Sequence, residues 1–325
     1  MLLKENPWKD METPVPPAFS TRPVNSESKH NFMWIKDGSG RPGLALSFDE
    51  AVTGRFEVPV FQNLEISVQS DKKTVTFLLK DESALRQFRI FCEDCVDAVE
   101  EHAKGDAPSV LATLAVVVIK WVELFDGRNR RHLSKSAEIG LIGELIVMRD
   151  ILVDAIGASD SVLAWNGPKG HEQDFLYNSS LIEVKCQLAS KDKVFNISSL
   201  EQLDSVSGQI YLSHVGISPA ATGLENCFSL PSLVDEIIAQ LSSDNYAIDT
   251  FLGCLELVGY SHGDDKRFDS YVESFLNIFK VDESFPRITR PNIHSAIEKC
   301  SYRLNATMLG HWQVSKSQVL EEIVT

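Results

Sequence analysis

Apolar positions along this chain change period several times. Between Asn31 and Lys80 they fall in short β-prone runs, Leu44–Phe48, Arg55–Val60, Leu64–Val68 and Thr74–Leu79, separated by turn formers such as Asp37-Gly-Ser-Gly40. This pattern predicts a small antiparallel β unit. Residues 1 to about 30, rich in Pro, Ser and charge and without periodicity, are expected to form an irregular arm. From Glu82 to about Ala155 the period is helical, with helices expected at 83–104, 108–125 and 134–156. Short strands are expected again at Val162–Trp165, Asp174–Tyr177, Leu181–Gln187, Val194–Ile197 and Gln209–Ile217, with a short helix at Ser199–Leu203. The last third reads as helices at 231–242 and 246–258 followed by strand-like runs at 271–281 and 299–307. No internal repeat is evident. The expected fold class is α/β of the α+β kind.

Composition narrows this little. Of 325 residues, 43% are hydrophobic and 24% charged, which is ordinary globular usage and excludes disordered, collagen-like and low-complexity proteins. At roughly 150 residues per domain the length suggests about two domains. The first ten residues, MLLKENPWKD, hold no apolar stretch suited to a signal peptide. The run Leu111–Phe125 is interrupted by Lys120 and Glu123 and is shorter than the ~20 residues a membrane span needs, so it reads as a buried helix. No membrane partner is expected, and with six cysteines, too few for a disulfide scaffold, the cytoplasm is the expected compartment. Cys92 and Cys95 form a CxxC, but no second pair at zinc spacing follows. Both fall on the apolar helical stripe Leu85, Phe88, Cys92, Cys95, Val96 and Val99, which favours core packing over metal or redox chemistry.

Charge matters more. Lys and Arg total 31 and Asp and Glu 46, a net −15. Such a field repels phosphate at long range and argues against a protein that coats nucleic acid indiscriminately.

The chemistry concentrates in Trp165-Asn-Gly-Pro-Lys-Gly-His-Glu-Gln-Asp174 and the residues up to Gln187. Two β-prone runs meet at the turn-forming cluster Asn178-Ser179-Ser180. A two-residue loop places Asp174 directly opposite Glu183. A loop one residue longer places it opposite Val184, diagonal to Glu183 and Lys185. Glu183 and Lys185 share one strand face, and Ile182, Val184 and Cys186 share the apolar other. Two carboxylates that close repel unless a cation separates them, and a hard divalent ion such as Mg²⁺ prefers such oxygens. Taken alone, this arrangement also describes a solvated strand face with alternating charge. The preceding helix decides against that. Glu144 has Gly140, Leu141, Val147 and Met148 as its surface neighbours and so faces inward, where an acid needs a cation or donors. An ion pair between Glu144 and Lys185 is the structural alternative. Gly140 and Gly143 would let a neighbouring segment approach closely.

These residues resemble the PD-(D/E)XK nuclease superfamily. Asp174 matches the first acid of its motif and Glu183-Val-Lys185 its (D/E)xK, while Gln173 stands where the motif has proline. Glu144 matches the acid that many members carry on the first core helix, and Gln202 the polar residue on the helix after the motif. Gly140-Leu-Ile-Gly-Glu-Leu145, Trp165-Asn-Gly-Pro168, Asp174-Phe175, Glu183-Val-Lys185 and Ile197-Ser-Ser-Leu-Glu-Gln-Leu203 together are similar to a bacterial family of PD-(D/E)XK motif proteins found in restriction and phage-defence gene clusters. The resemblance is firm over 134–218.

The resemblance implies a restriction-endonuclease-like core, helix, three strands, helix, strand. The chain would then divide into an N-terminal arm and β-rich domain (1–82), a helical connector (83–133), the nuclease core (134–218) and a C-terminal α/β extension (219–325). It implies Mg²⁺-dependent hydrolysis of DNA phosphodiesters, with Mn²⁺ as a substitute ion. The ion's ligands would be Asp174, Glu183, the Val184 backbone carbonyl and Glu144. Lys185 would position or deprotonate the attacking water, and Gln202 would hold Lys185 or the phosphate. Phosphate contacts are expected from Arg128, Arg130, Arg131 and Lys135, the densest basic cluster, and from Lys169 and Ser198. Expected partners are DNA, and other defence proteins or a second copy of the chain. A scaffold subunit that keeps the fold without catalysis, and an exonuclease, are the competing classes. From Asp126 to Val194 there are nine Lys/Arg and ten Asp/Glu, so the proposed site region is nearly neutral and the acidic excess lies elsewhere.

Overall fold

The computed structural model describes residues 6–25, 28–49, 63–69, 73–100, 102–103, 106–125, 133–204, 208–221, 223–241, 243–263 and 268–324. The chain forms two compact units, Met1–His132 with Leu252–Tyr260, and Leu133–Phe251 with Ser261–Thr325.

In the first unit, β1 (Phe19–Pro23), β2 (Asn31–Asp37), β3 (Pro42–Ser47), β4 (Leu64–Gln69) and β5 (Thr74–Leu79) form an antiparallel sheet in the order β1-β2-β3-β5-β4. The turn between β2 and β3 is the expected Asp37-Gly-Ser-Gly40. The Asp37 carboxylate accepts from the backbone N–H groups of Ser39 and Arg41 at 2.9 and 2.8 Å. β1 corrects the expectation of an irregular arm. It is an edge strand with no buried residue, so no apolar alternation could reveal it. The strand expected at Arg55–Val60 lies outside the described residues.

Helices α1 (Leu85–Val99) and α2 (Ala107–Phe125) complete this unit's core. The Phe91 ring meets Phe77 of β5 at 5.5 Å and Trp121 of α2 at 5.8 Å. Trp8 stacks on Phe88 at 5.5 Å and donates its indole N–H to the Gly43 carbonyl at 2.9 Å. Cys92 and Cys95 are fully buried free thiols, and burial pushes both well above the ordinary thiol range. They are packing residues. Among the described residues no helix is long and apolar enough to cross a membrane.

The second unit begins with α3 (Lys135–Val147), capped by Ser134, whose hydroxyl accepts from the Ala137 N–H at 3.2 Å. A π-turn at Met148–Leu152 carries it into α4 (Val153–Ile156). Gly157, at φ 83°, ends that run and admits α5 (Ala158–Leu163). The strand expected at Val162–Trp165 is therefore helical through Leu163, and only Trp165 forms an isolated bridge, to Phe175. A four-residue apolar run carries no period that separates a strand from a buried helical turn.

Next come β6 (Phe175–Tyr177), β7 (Ser180–Leu188), β8 (Val194–Ile197), a 3-10 turn at Glu201–Leu203 and β9 (Gln209–Pro219). β10 (Phe228–Ser229), α6 (Leu230–Gln240), α7 (Asn245–Leu257), β11 (Ser270–Val281), β12 (Tyr302–Asn305), β13 (Gln313–Val314) and α8 (Lys316–Val324) follow. α7 begins in this unit and ends in the other. The main sheet has the order β10-β11-β9-β7-β6, with β13 on β11. β6 and β7 are a hairpin in the register Phe175↔Ile182 and Tyr177↔Ser180, which selects the two-residue loop Asn178-Ser179, with Asn178 at φ 50°. β7 and β9 run parallel, pairing Glu183↔Leu212, Lys185↔His214 and Gln187↔Gly216. β8 does not join this sheet and pairs with β12 in a separate ribbon, and because β6 covers only Ser180–Ile182 the edge of β7 stays open from Glu183 on. The mixed α+β class stands.

β9 is buried on both faces along most of its length, including Ser213 and His214 at its centre. One sheet face, with Val184 and Cys186, receives α3. A Cβ on Gly143 would come within 2.4 Å of the Cys186 Cβ, so only glycine permits this approach. On the other face Leu181, Ile210, Leu212 and Phe279 pack against Phe195 and Ile197 of β8, and against Leu203 and Leu304. Glu183 and Lys185 rise from this second face.

The two helix glycines are thus predicted to behave oppositely. Gly143→Val overpacks the α3–β7 contact and should destabilise by about 1–3 kcal/mol. Gly140→Ala meets nothing within 4 Å and should gain about 1 kcal/mol of helix propensity. Urea unfolding of each variant measures the difference, and equal effects would contradict the packing.

Candidate active site

The β6–β7 ladder ends at Phe175↔Ile182. Asp174, one residue earlier, lies across from Glu183 but makes a different contact. Its Oδ2 accepts the Val184 N–H at 2.7 Å. In an extended strand the N–H and C=O of one residue point to the same edge, so the Val184 carbonyl also faces the Asp174 side. The Asp174 backbone carbonyl accepts from the N–H groups of Asn166 and Gly167 at 2.8 and 3.0 Å, which draws the Trp165–Gly170 loop over the site.

Glu144 reaches the same place from α3. Its Oε2 accepts the Trp165 indole N–H at 2.7 Å. A Cβ on Gly167 would stand 3.0 Å from Asp174 Oδ1 and 3.1 Å from Glu144 Oε2, so these two oxygens are at most 6.1 Å apart. Gly167 leaves that space clear of any side chain.

Glu183 is only 2% exposed. Its Oε1 pairs with Lys185 Nζ at 2.6 Å, while its Oε2 is buried and has no hydrogen-bond partner. Lys185 Nζ also donates to Gln202 Oε1 at 3.3 Å, and the same oxygen accepts the Ser198 N–H at 2.8 Å. The ammonium is thus held between a carboxylate and an amide. It does not form the ion pair with Glu144 that the sequence left open.

Burial dominates the electrostatics. It pushes Glu144 well above the usual carboxylate range, with the Asp174 charge adding to the effect and the Trp165 hydrogen bond opposing it. It raises Asp174 to about 6 against the Val184 N–H and Lys185. It raises Glu183 to about 8, helped by Asp174 and opposed by Lys185. These acids ionise together only with difficulty unless positive charge is supplied. The donor set fits a hard divalent ion: carboxylate oxygens of Asp174, Glu183 and Glu144, the Val184 carbonyl, and one buried oxygen that lacks a donor. Among the described residues no three acidic, imidazole or thiol groups are already gathered as a metal cage.

A family model described as "Putative PD-(D/E)XK family member, (DUF4420)" matches residues 4–307. The chain belongs to this family. No curated protein and no solved structure matches it. Membership accords with the nuclease-like hairpin and the mixed α+β core, and PD-(D/E)XK proteins generally use divalent metals.

The PD-(D/E)XK residues expected from sequence, Glu144, Asp174, Glu183, Val184, Lys185 and Gln202, are gathered in one place. The DNA-contact candidates are scattered. Arg128, Arg130 and Arg131 lie outside the described residues. Lys135 is paired with Asp269 and, at 3.1 Å, with Glu138, and sits over the Tyr271 ring, so its charge is already matched. Lys169 donates to Asn166 Oδ1 at 3.3 Å, and Ser198 is exposed beside Gln202.

Two supporting residues escaped the sequence reading. Trp165 orients Glu144; its Trp-Asn-Gly-Pro context was visible but gave no role. Gln173, in the place of the motif proline, donates to the carbonyls of Glu201 and Gln202 at 2.6 and 3.4 Å and so fixes the turn that carries Gln202. A proline could not do this, and only the fold brings that turn within reach.

The pH dependence of the metal-free protein follows. A carboxyl whose folded pKa is raised stabilises the fold at low pH, and that contribution is lost as pH rises through the folded value. Here the loss should pass through about 6 for Asp174 and about 8 for Glu183. In EDTA the melting temperature is expected to fall across this window, and Glu183→Gln should remove the upper part of the fall. A flat profile would contradict the burial described.

Proposed function

We propose that the chain is a Mg²⁺-dependent DNA endonuclease, acting in the cytoplasm as part of a bacterial restriction or phage-defence system. The observation that carries this reading is the buried, unpartnered Oε2 of Glu183, on a carboxylate that pairs with Lys185 through Oε1 and feels the charge of Asp174. In a purely structural ion pair a buried carboxylate oxygen without a donor is costly.

In this reading Asp174, Glu183, Glu144 and the Val184 carbonyl hold the ion. When bound, the ion polarises a phosphate oxygen and lowers the pKa of water. The chain supplies the rest. Lys185, kept on the site side by Gln202, positions the attacking water and offsets charge that develops on the phosphate. Trp165 keeps Glu144 turned inward, and the loop over Asp174 limits access of bulk water. Mn²⁺ would substitute for Mg²⁺. Other defence proteins or a second copy of the chain would supply target choice.

The test is incubation of supercoiled circular and linear DNA with the purified protein and Mg²⁺. Cleaved circles are expected. Asp174→Ala should abolish cleavage with the fold intact by circular dichroism, and Lys185→Ala should slow it about 10²–10³-fold. Degradation of linear DNA alone would make the protein an exonuclease. Full activity in Asp174→Ala would contradict the assignment. Inertness of the unaltered chain toward both would favour a non-catalytic scaffold.

A further inference from the structure

The sheet face that carries Lys185 continues beyond it. Three strands set its side chains in cross-strand rows. The row Lys185, His214 and Asn277 is followed by the row Gln187, Gly216 and Phe275. Successive residues on one strand face are about 6.6–6.8 Å apart.

In this second row Gly216 matters. A Cβ there would fall 2.2 Å from the Phe275 ring, so glycine lets that ring lie across the row. Lys193 rests its ammonium on the ring, 4.8 Å from the centroid. At the β7 end of the row, Gln187 opens into a groove of about 450 Å³ lined also by Ser190, Lys191, Asp192, Val194 and Arg303. Gln187 Nε2 donates to the Asp192 carbonyl at 2.9 Å, which fixes the loop. Arg303 comes from β12, opposite Asn196 of β8, and faces outward.

In the same unit Lys135, Arg149, Lys185, Lys280, Arg290 and Lys316 each pair with a carboxylate. Lys191, Lys193 and Arg303 are exposed, and none makes an ion pair among the described residues. Lys169, Arg287 and Lys299 of this unit also make no ion pair among the described residues, so what sets the three apart is that they lie together beside one groove. Asp192 is the single acid on the groove wall.

We propose that this groove, with Lys191 and Arg303 on its wall and Lys193 beside it on the Phe275 ring, binds the phosphodiester backbone of the nucleic-acid strand next to the bond at Lys185. The inference rests on the nuclease reading for its substrate. It replaces Lys135, whose charge is already matched, as the phosphate contact beside the site. Arg303 presents a planar fork suited to two phosphate oxygens. Lys191 and Lys193 act as point charges, and Gln187 supplies a neutral surface between them and Lys185. Cations positioned this way fix the strand's register without reading sequence.

The test compares the full chain, K191Q/K193Q/R303Q and the charge-matched control K9Q/K80Q/K299Q, whose lysines are exposed and are not among the residues that line the groove. Binding of a fluorescein-labelled DNA duplex is followed by anisotropy in EDTA at several salt concentrations, and cleavage is followed separately with Mg²⁺. The groove variant should bind more weakly and lose about two to three units of the slope of log K against log salt, at close to one unit per phosphate contact. The control should keep both. With Mg²⁺, the groove variant should show a raised KM and a largely preserved kcat. An unchanged salt slope in the groove variant overturns the inference even if the protein cleaves DNA, and so does an unaltered chain that fails to bind DNA at low salt. A lost slope in a protein that binds but never cleaves supports the groove while the nuclease reading fails.

Discussion

Carboxyl groups from α3, from the start of β6 and from β7 crowd the edge of β7 where its pairing with β6 stops, and one ammonium stands among them. This crowding is the constraint on which the site depends. Burial raises all three acids, and the charge of Asp174 adds to the effect on Glu144 and Glu183. A fold that tolerates such an arrangement needs donors close at hand, and each acid receives one. Trp165 serves Glu144, the Val184 N–H serves Asp174 and Lys185 serves Glu183. The second oxygen of Glu183 receives none.

The surrounding elements can be understood as holding that edge open. Had Asp174 continued the β6 ladder, the Val184 N–H would have gone to a backbone carbonyl and Asp174 would have been an ordinary strand residue. Instead the backbone of Asp174 is taken by Asn166 and Gly167, and its side chain takes Val184. Gly143 lets α3 approach closely enough for Glu144 to arrive, and Gly167 keeps the space between Glu144 and Asp174 clear. Gln173 anchors the turn from which Gln202 steadies Lys185. Each support comes from a different stretch of sequence, so the site forms only when the whole core is assembled.

Much of this was legible from period and spacing. A tight turn at Asn178-Ser179-Ser180, the shared face of Glu183 and Lys185, and the inward Glu144 follow from local rules of strands and helices, and of the two loop lengths left open the fold takes the shorter. What local rules could not supply was pairing at a distance. β1 has no buried face to announce it, and β8 finds its partner in β12, more than a hundred residues further along the chain. The Val162–Trp165 run is too short to carry a period. Lys135 looked free in sequence because its partner Asp269 is far along the chain. Conversely, Lys191, Lys193 and Arg303 looked unremarkable until the ribbon and the sheet rows brought them beside one groove.

In the metal-free protein the buried carboxyls of Glu144 and Glu183 hold protons at neutral pH and would give them up to a divalent ion. Titration calorimetry of Mg²⁺ at about pH 7, run in two buffers of different ionisation enthalpy, measures both events at once. Mg²⁺ should bind with proton release, and Glu183→Gln should release fewer protons, because that carboxyl holds its proton up to about pH 8. Absence of Mg²⁺ binding, or binding with no proton released, would contradict this reading.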